Sequence, residues 1–133
     1  MNTRDLMIND WVLYTEFGKN EFHRIENVEP TRVWLKGCKT YIPDVLIDAI
    51  PLTPEILQKN GFALKPDGWL YCEDKGNEEQ DYIFIQFRKG CDGIRICELN
   101  FIGKVQATFR QIQYVHELQH ALRLCGIEKD IVL

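Results

Sequence analysis

Apolar and polar positions alternate in short runs along the first fifty residues. Residues 11–17 (Trp-Val-Leu-Tyr-Thr-Glu-Phe) are rich in β-branched and aromatic side chains, and Gly18-Lys19-Asn20 supplies a turn. Residues 22–28 predict a second strand ended by Glu29-Pro30. Residues 31–36 predict a third closed by Gly37, and residues 40–42 a fourth. Short strands with frequent turn signals predict a small antiparallel sheet or barrel. An SH3-like five-stranded barrel fits residues 8–52, and an open meander fits the same rhythm.

The pattern then changes at Pro51-Leu52-Thr53-Pro54-Glu55-Ile56-Leu57-Gln58-Lys59-Asn60-Gly61-Phe62. Thr53 can cap free amides, Pro54 suits the first helical position, and Glu55 complements the positive helix end. Gly61 permits the left-handed residue that stops the helix. So short a helix depends on packing by Ile56 and Leu57.

Alternation returns afterwards. A turn at 65–68 leads to a strand at 69–72, and residues 73–81, acidic and without an apolar side chain, predict an exposed loop. Residues 82–88 form the strongest strand pattern, with Ile83, Ile85 and Phe87 on one face. Residues 94–99 continue it, after a five-residue connection at 89–93, as a hairpin. Residues 100–110 suit either a further strand or an early start to the last helix.

That helix, predicted over 112–125, has sustained 3.6-residue periodicity. Val115, Leu118, Leu122 and Cys125 fall on one side, flanked by Tyr114 and Ala121. His116 and His120 fall opposite, beside Gln113 and Arg123, and Gly126 ends it. The whole predicts an α+β chain: an N-terminal SH3-like small antiparallel β-barrel, a short linking helix, then a small antiparallel sheet packed by one C-terminal helix. The division is 1–52 and 53–133, or one continuous domain.

The same helix spells His116-Glu117-Leu118-Gln119-His120, the pattern of zinc peptidases. Histidines at i and i+4 can chelate zinc, with the intervening glutamate as base toward a metal-bound water. A catalytic site needs a third protein ligand. The extended metzincin pattern wants Gly and His where this chain has Arg123 and Gly126, and His23 lies far upstream. His116 and His120 are therefore weak metal candidates on an exposed polar face. No catalytic residue is assigned.

The stretches Asp10-Trp11-Val12, Ile50 to Phe62 and Tyr114 to Leu122 together resemble small uncharacterised proteins of Bacteroides and related gut bacteria, often encoded in prophages and other mobile elements. The resemblance spans nearly the whole chain, and residues 51–57 are its most specific part. It implies a cytoplasmic protein of bacterial or phage origin, and it carries over no activity, substrate or site residue.

Composition narrows the functional classes. The 133 residues carry 16 basic and 20 acidic side chains, net -4, so an even acidic excess replaces the basic footprint of a nucleic-acid binder. The five cysteines form no Cys-x-x-Cys, which favours free thiols in a reducing cytoplasm. Cys91, on a turn beside Lys89, has no neighbouring base to make it reactive. The carboxylates of 73–81 lack a calcium-loop pattern. No apolar run approaches the ~20 residues of a membrane span.

Trp11, Tyr14, Phe22, His23, Arg24, Trp34, Lys36 and Lys39 can form an aromatic and basic surface for nucleic acid or peptide. The preferred expectation is that Trp11 and Trp34 belong to the core instead. Taken together, the sequence favours a non-enzymatic, cytoplasmic interaction or accessory protein with a protein partner, no membrane and no cofactor. A small zinc hydrolase and a nucleic-acid-binding module are the alternatives.

Overall fold

The computed structural model describes residues 1–65, 68–74, 82–90, 93–101, 104–109, 112–124 and 129–133, with side chains for 1–63, 112–124 and 129–133. Within them the chain is α+β, with two five-stranded antiparallel sheets and a helix near its C-terminal end. It divides into two compact units, residues 1–51 with 114–116 and residues 52–113 with 117–133.

In the first unit, strands β1 (Trp11–Glu16), β2 (Lys19–Val28), β3 (Arg32–Leu35), β4 (Ile42–Pro43) and β5 (Ile47–Asp48) form a sheet in the order β4-β3-β2-β1-β5. The fifth strand, with the 3-10 turn Asp44–Leu46 before it, had no sequence pattern long enough to predict it. Register explains which side chains are inside. Val12 on β1, Ile25 on β2, Val33 and Leu35 on β3, Ile42 on β4 and Ile47 on β5 form a closed core with Leu6. A bulge between Ile25 and Asn27 keeps both Ile25 and Val28 inward, opposite Leu35 and Val33, and bends β2.

This core is wholly aliphatic, which corrects the expectation for the tryptophans. Trp11 and Trp34 are half-buried and sit outside the core cluster. The reason is alternation: with Val12, Val33 and Leu35 inward, their immediate neighbours Trp11 and Trp34 must face outward. Closing the same unit, Tyr114 bridges Pro51, and the Val115 amide donates to Ile50 O at 2.9 Å.

In the second unit, helix α1 (Pro54–Lys59) follows its sequence signals closely. Thr53 Oγ1 accepts from the Ile56 amide at 3.3 Å, and Pro54 occupies the first turn. Gly61 is left-handed at φ 86°. Its amide bonds Gln58 O at 3.2 Å, while the Phe62 amide bonds Leu57 O at 3.0 Å. Those two bonds are a Schellman stop.

The Asn60 side chain, 1% exposed, adds a longer-range tie. Its Nδ2 donates to Ile56 O and Val132 O, each at 2.8 Å, and its Oδ1 accepts from the Val132 amide at 2.8 Å. One side-chain amide thus does for the C-terminal segment what a strand partner would do.

Strands β6 (Ala63–Lys65), β7 (Gly68–Asp74), β8 (Tyr82–Gly90), β9 (Gly93–Phe101) and β10 (Lys104–Phe109) form an antiparallel meander. Two expectations change here, and one open alternative is decided. Pairing of β8 with β9 continues to Gly90 and Gly93, so the connection is 91–92 rather than five residues. Most of 100–110 is strand, and Glu73 and Asp74 extend β7 rather than opening a loop; residues 75–81 lie outside the described residues. The expected face of Ile83, Ile85 and Phe87 also lies outside the described side chains.

Helix α2 (Val115–Leu124) starts three residues later than the predicted 112–125: residues 112 and 113 are not helical, and Tyr114 enters a β-bridge. Its predicted end, Cys125 and Gly126, lies outside the described residues.

Candidate functional site

The His-Glu-x-x-His segment occupies the first turns of α2. Val115, Leu118, Ala121 and Leu122 are buried as periodicity predicts, but His116 and Gln119 are buried as well. Placing both histidines on an exposed polar face is therefore corrected for His116, which is 5% exposed; His120 is half-buried. A wheel drawn from apolar residues alone registers one stripe. Here the buried arc continues past Leu122 through Gln119 to His116, a flank that polar side chains also line.

The ring of Tyr114 stacks on that of His116, with centroids 5.9 Å apart and planes 13° apart. Glu117 lies in the first turn, where its Oε1 accepts from the Gln113 amide at 3.3 Å. A glutamate reaching back over the start of a helix satisfies a free amide and complements the positive helix end. The motif's central carboxylate thus has a capping role. Among the described residues, no group of three His, Cys, Asp or Glu stands together to hold a metal ion.

The outer face of the first sheet brings together a different set of residues. Alternation along Arg32-Val33-Trp34-Leu35 puts Arg32 and Trp34 on one side. Trp34 meets Tyr41 edge-on with ring centroids 5.0 Å apart, and the Arg32 guanidinium lies 4.0 Å above the Tyr41 ring. Asn27 Nδ2 donates to the Tyr41 hydroxyl at 3.3 Å, and Arg32 Nε donates to Glu29 Oε2.

Across the sheet, Trp11 faces Arg24 in register, with the guanidinium 4.6 Å from the indole centroid. Leu13 faces Phe22, which is exposed. Each aromatic–guanidinium pair stabilises by about 0.5–1 kcal/mol at such half-exposed sites.

The predicted surface is therefore only partly assembled. Trp11, Arg24, Phe22 and Trp34 share the outer face, whereas Tyr14 packs against the core from inside. His23 lies edge-on to Tyr14 at 6.0 Å, with Nε2 3.0 Å from Glu21 Oε2 and Nδ1 3.3 Å from Lys36 O. Lys36 Nζ donates to Asn9 Oδ1 at 2.6 Å, and Lys39 is exposed. Arg32 and Tyr41 were missed, although the alternation of 32–35 was enough to put Arg32 beside Trp34. Cys38 is a free, half-buried thiol whose pKa burial pushes up, which suits an inert cysteine.

The Arg32 hydrogen bond, with the guanidinium charge behind it, holds the Glu29 carboxyl below its ordinary value of 4.5. A depressed carboxylate contributes stability above its unfolded pKa and loses it as pH falls through the folded pKa. The pair is thus expected to support the sheet at neutral pH and to release below about pH 4.5. In Arg32→Ala, an NMR titration of Glu29 is expected to move back up toward the ordinary value. An unmoved titration would show that Arg32 is not its cause.

Compared with protein-family profiles, curated proteins and solved structures, the chain matches none.

Proposed function

We propose that the chain is a non-enzymatic protein-interaction or accessory module whose N-terminal SH3-like small barrel presents the binding face, with the second sheet packed by the C-terminal helix. One observation carries this reading: the buried core cluster of the first unit is aliphatic, while Trp11, Trp34 and Tyr41 stay on its outer face, with guanidinium groups over the Trp11 and Tyr41 rings. Aromatic and arginine side chains dominate the energetics of protein interfaces, and here folding does not consume them. A cytoplasmic setting and a bacterial or prophage origin fit such an accessory role.

Two features weigh against a nucleic-acid ligand. The chain's net charge is -4, and guanidinium groups already cover the Trp11 and Tyr41 rings on which bases would stack. Against hydrolysis, Glu117 already caps a helix.

The test places a photo-crosslinking amino acid at position 41 in cells that encode the chain. Metal analysis of protein purified without a metal column, and a salt titration with an oligonucleotide, accompany it. A discrete protein adduct whose purified partner binds the wild type, but binds Arg32→Ala about tenfold more weakly, is expected. One equivalent of zinc with Glu117-dependent hydrolysis would replace the reading with an enzyme. Salt-sensitive oligonucleotide binding without a protein adduct would replace it with a nucleic-acid module.

A further inference from the structure

The β1–β2 hairpin carries a feature that folding does not explain. Glu16 pairs with Lys19, so the loop between the strands is two residues, Phe17 and Gly18. Both have positive φ, 51° and 73°, the backbone of a type I′ turn. Such a turn twists with its strands and favours Asn, Asp or Gly at both positions. Gly18 fits: a Cβ there would meet nothing within 4 Å, so glycine is needed for conformation rather than for space.

Phe17 does not fit. A bulky side chain in the left-handed region is a genuine outlier, and such strain concentrates at functional positions. The ring is also 92% exposed, so burial does not offset the strain. A lone exposed ring is ordinary on a protein surface. An exposed ring held at the tip of a strained hairpin is not.

The surroundings of the tip indicate what it fits. Two residues earlier, Thr15 Oγ1 donates to Leu46 O at 3.2 Å, which ties the 3-10 turn Asp44–Leu46 to β1. That turn carries Val45, itself 80% exposed, so a second apolar point accompanies the ring. Flanking charges are Glu16 and Glu21 against Lys19, within a chain of net charge -4. Glu16 and Lys19 face each other and offset, and Glu21 Oε2 lies 3.0 Å from His23 Nε2, so the tip keeps a slight acidic excess that suits a basic rim better than an anionic headgroup or a phosphate.

We propose that the Phe17 ring inserts into an apolar pocket with a basic rim on a partner protein, while Val45 covers the pocket's edge. This rests on the protein-interaction reading above and names the element that makes the contact. A tip ring of this kind makes an interface hot spot, because the aromatic is desolvated only in the complex. The left-handed backbone aims the ring away from the strands, and the partner compensates the strain.

The test uses the full chain with the photo-crosslinking residue at position 17, and separately at Asn20 and at Tyr41. Position 17 is expected to label one protein within an apolar pocket, and Asn20 to label it far less. With that purified partner, Phe17→Asn is expected to bind about thirtyfold more weakly, and Phe17→Leu to stay within about threefold of wild type. Phe17→Asn is also expected to melt about 2–5 °C higher, because asparagine suits the turn. Weaker binding by a more stable protein cannot come from misfolding. Equal labelling from 17 and 20, or unchanged binding by Phe17→Asn, would overturn the inference. If adducts form from 41 but not from 17, the inference fails and the interaction reading stands; if from neither, both fail.

Discussion

Replacing Asn60 with aspartate is expected to lower the free energy of unfolding by about 3 kcal/mol at neutral pH. The substitution is nearly isosteric, so packing is unchanged. What changes is donor capacity. Asn60 Nδ2 serves two carbonyls, Ile56 O and Val132 O, while Oδ1 serves the Val132 amide. A carboxylate keeps only the last of these bonds and turns its second oxygen toward two carbonyl oxygens. With 1% of its surface exposed, the site gives the new charge little water in compensation.

The pH dependence identifies this mechanism. Burial raises the folded pKa of such an aspartate above an unfolded value of about 3.9, so the charge penalty vanishes below that value and grows as pH rises above it. Urea unfolding of Asn60→Asp and wild type should therefore lie closest in acid, where a protonated aspartate still lacks one of the two donor bonds, and separate toward neutrality. Asn60→Ala, which adds no charge, is expected to lose about 2 kcal/mol without that pH dependence. Faster hydrogen exchange at the Val132 amide should accompany Asn60→Ala, which removes its acceptor. A pH-independent loss in Asn60→Asp would show that lost bonds, not charge, set its effect.

The second large effect is expected at Leu35. Leu35→Ala should destabilise by about 3 kcal/mol, whereas Trp34→Ala, one residue away, should lose only about 1–2 kcal/mol. Leu35 is fully buried opposite Ile25 in the aliphatic cluster, so its removal leaves a cavity that a β-sheet core cannot readily collapse. Trp34 is larger, but it is half-buried and loses mainly its edge contact with Tyr41. Paired urea titrations followed by far-UV circular dichroism decide it. A larger loss at Trp34 than at Leu35 would put the tryptophan in the core after all.

That inversion marks where the sequence was legible. Helix α1 could be read nearly to the residue, because Thr53, Pro54 and Gly61 act through backbone chemistry within one turn of the chain. The first four strands were legible as runs of β-formers. Their inward faces were harder to assign, because large aromatics were weighed above the alternation that fixes Val33 and Leu35 inside. β5 and the 3-10 turn before it, each only two or three residues long, carry no periodic signal.

The hairpin tip was misplaced by one residue at Gly18-Lys19-Asn20. Glycine marks a turn, but only the cross-strand pair of Glu16 with Lys19 shows that Phe17 belongs to it. His116 was the main error at the motif, since a wheel ranks positions by apolarity and does not register a buried flank lined by polar side chains. The tie between Asn60 and Val132 joins positions 72 residues apart, and no local pattern foreshadows it.

The outward placement of Trp11 and Trp34 has a spectroscopic consequence. Indoles that are half-buried under, or edge-on to, polar partners emit toward the red and are open to collisional quenchers such as iodide. Their emission reports the occupancy of the outer face more than the integrity of the aliphatic core beneath it. A partner covering that face should shift their emission to the blue and shield it from iodide, with no change in fold.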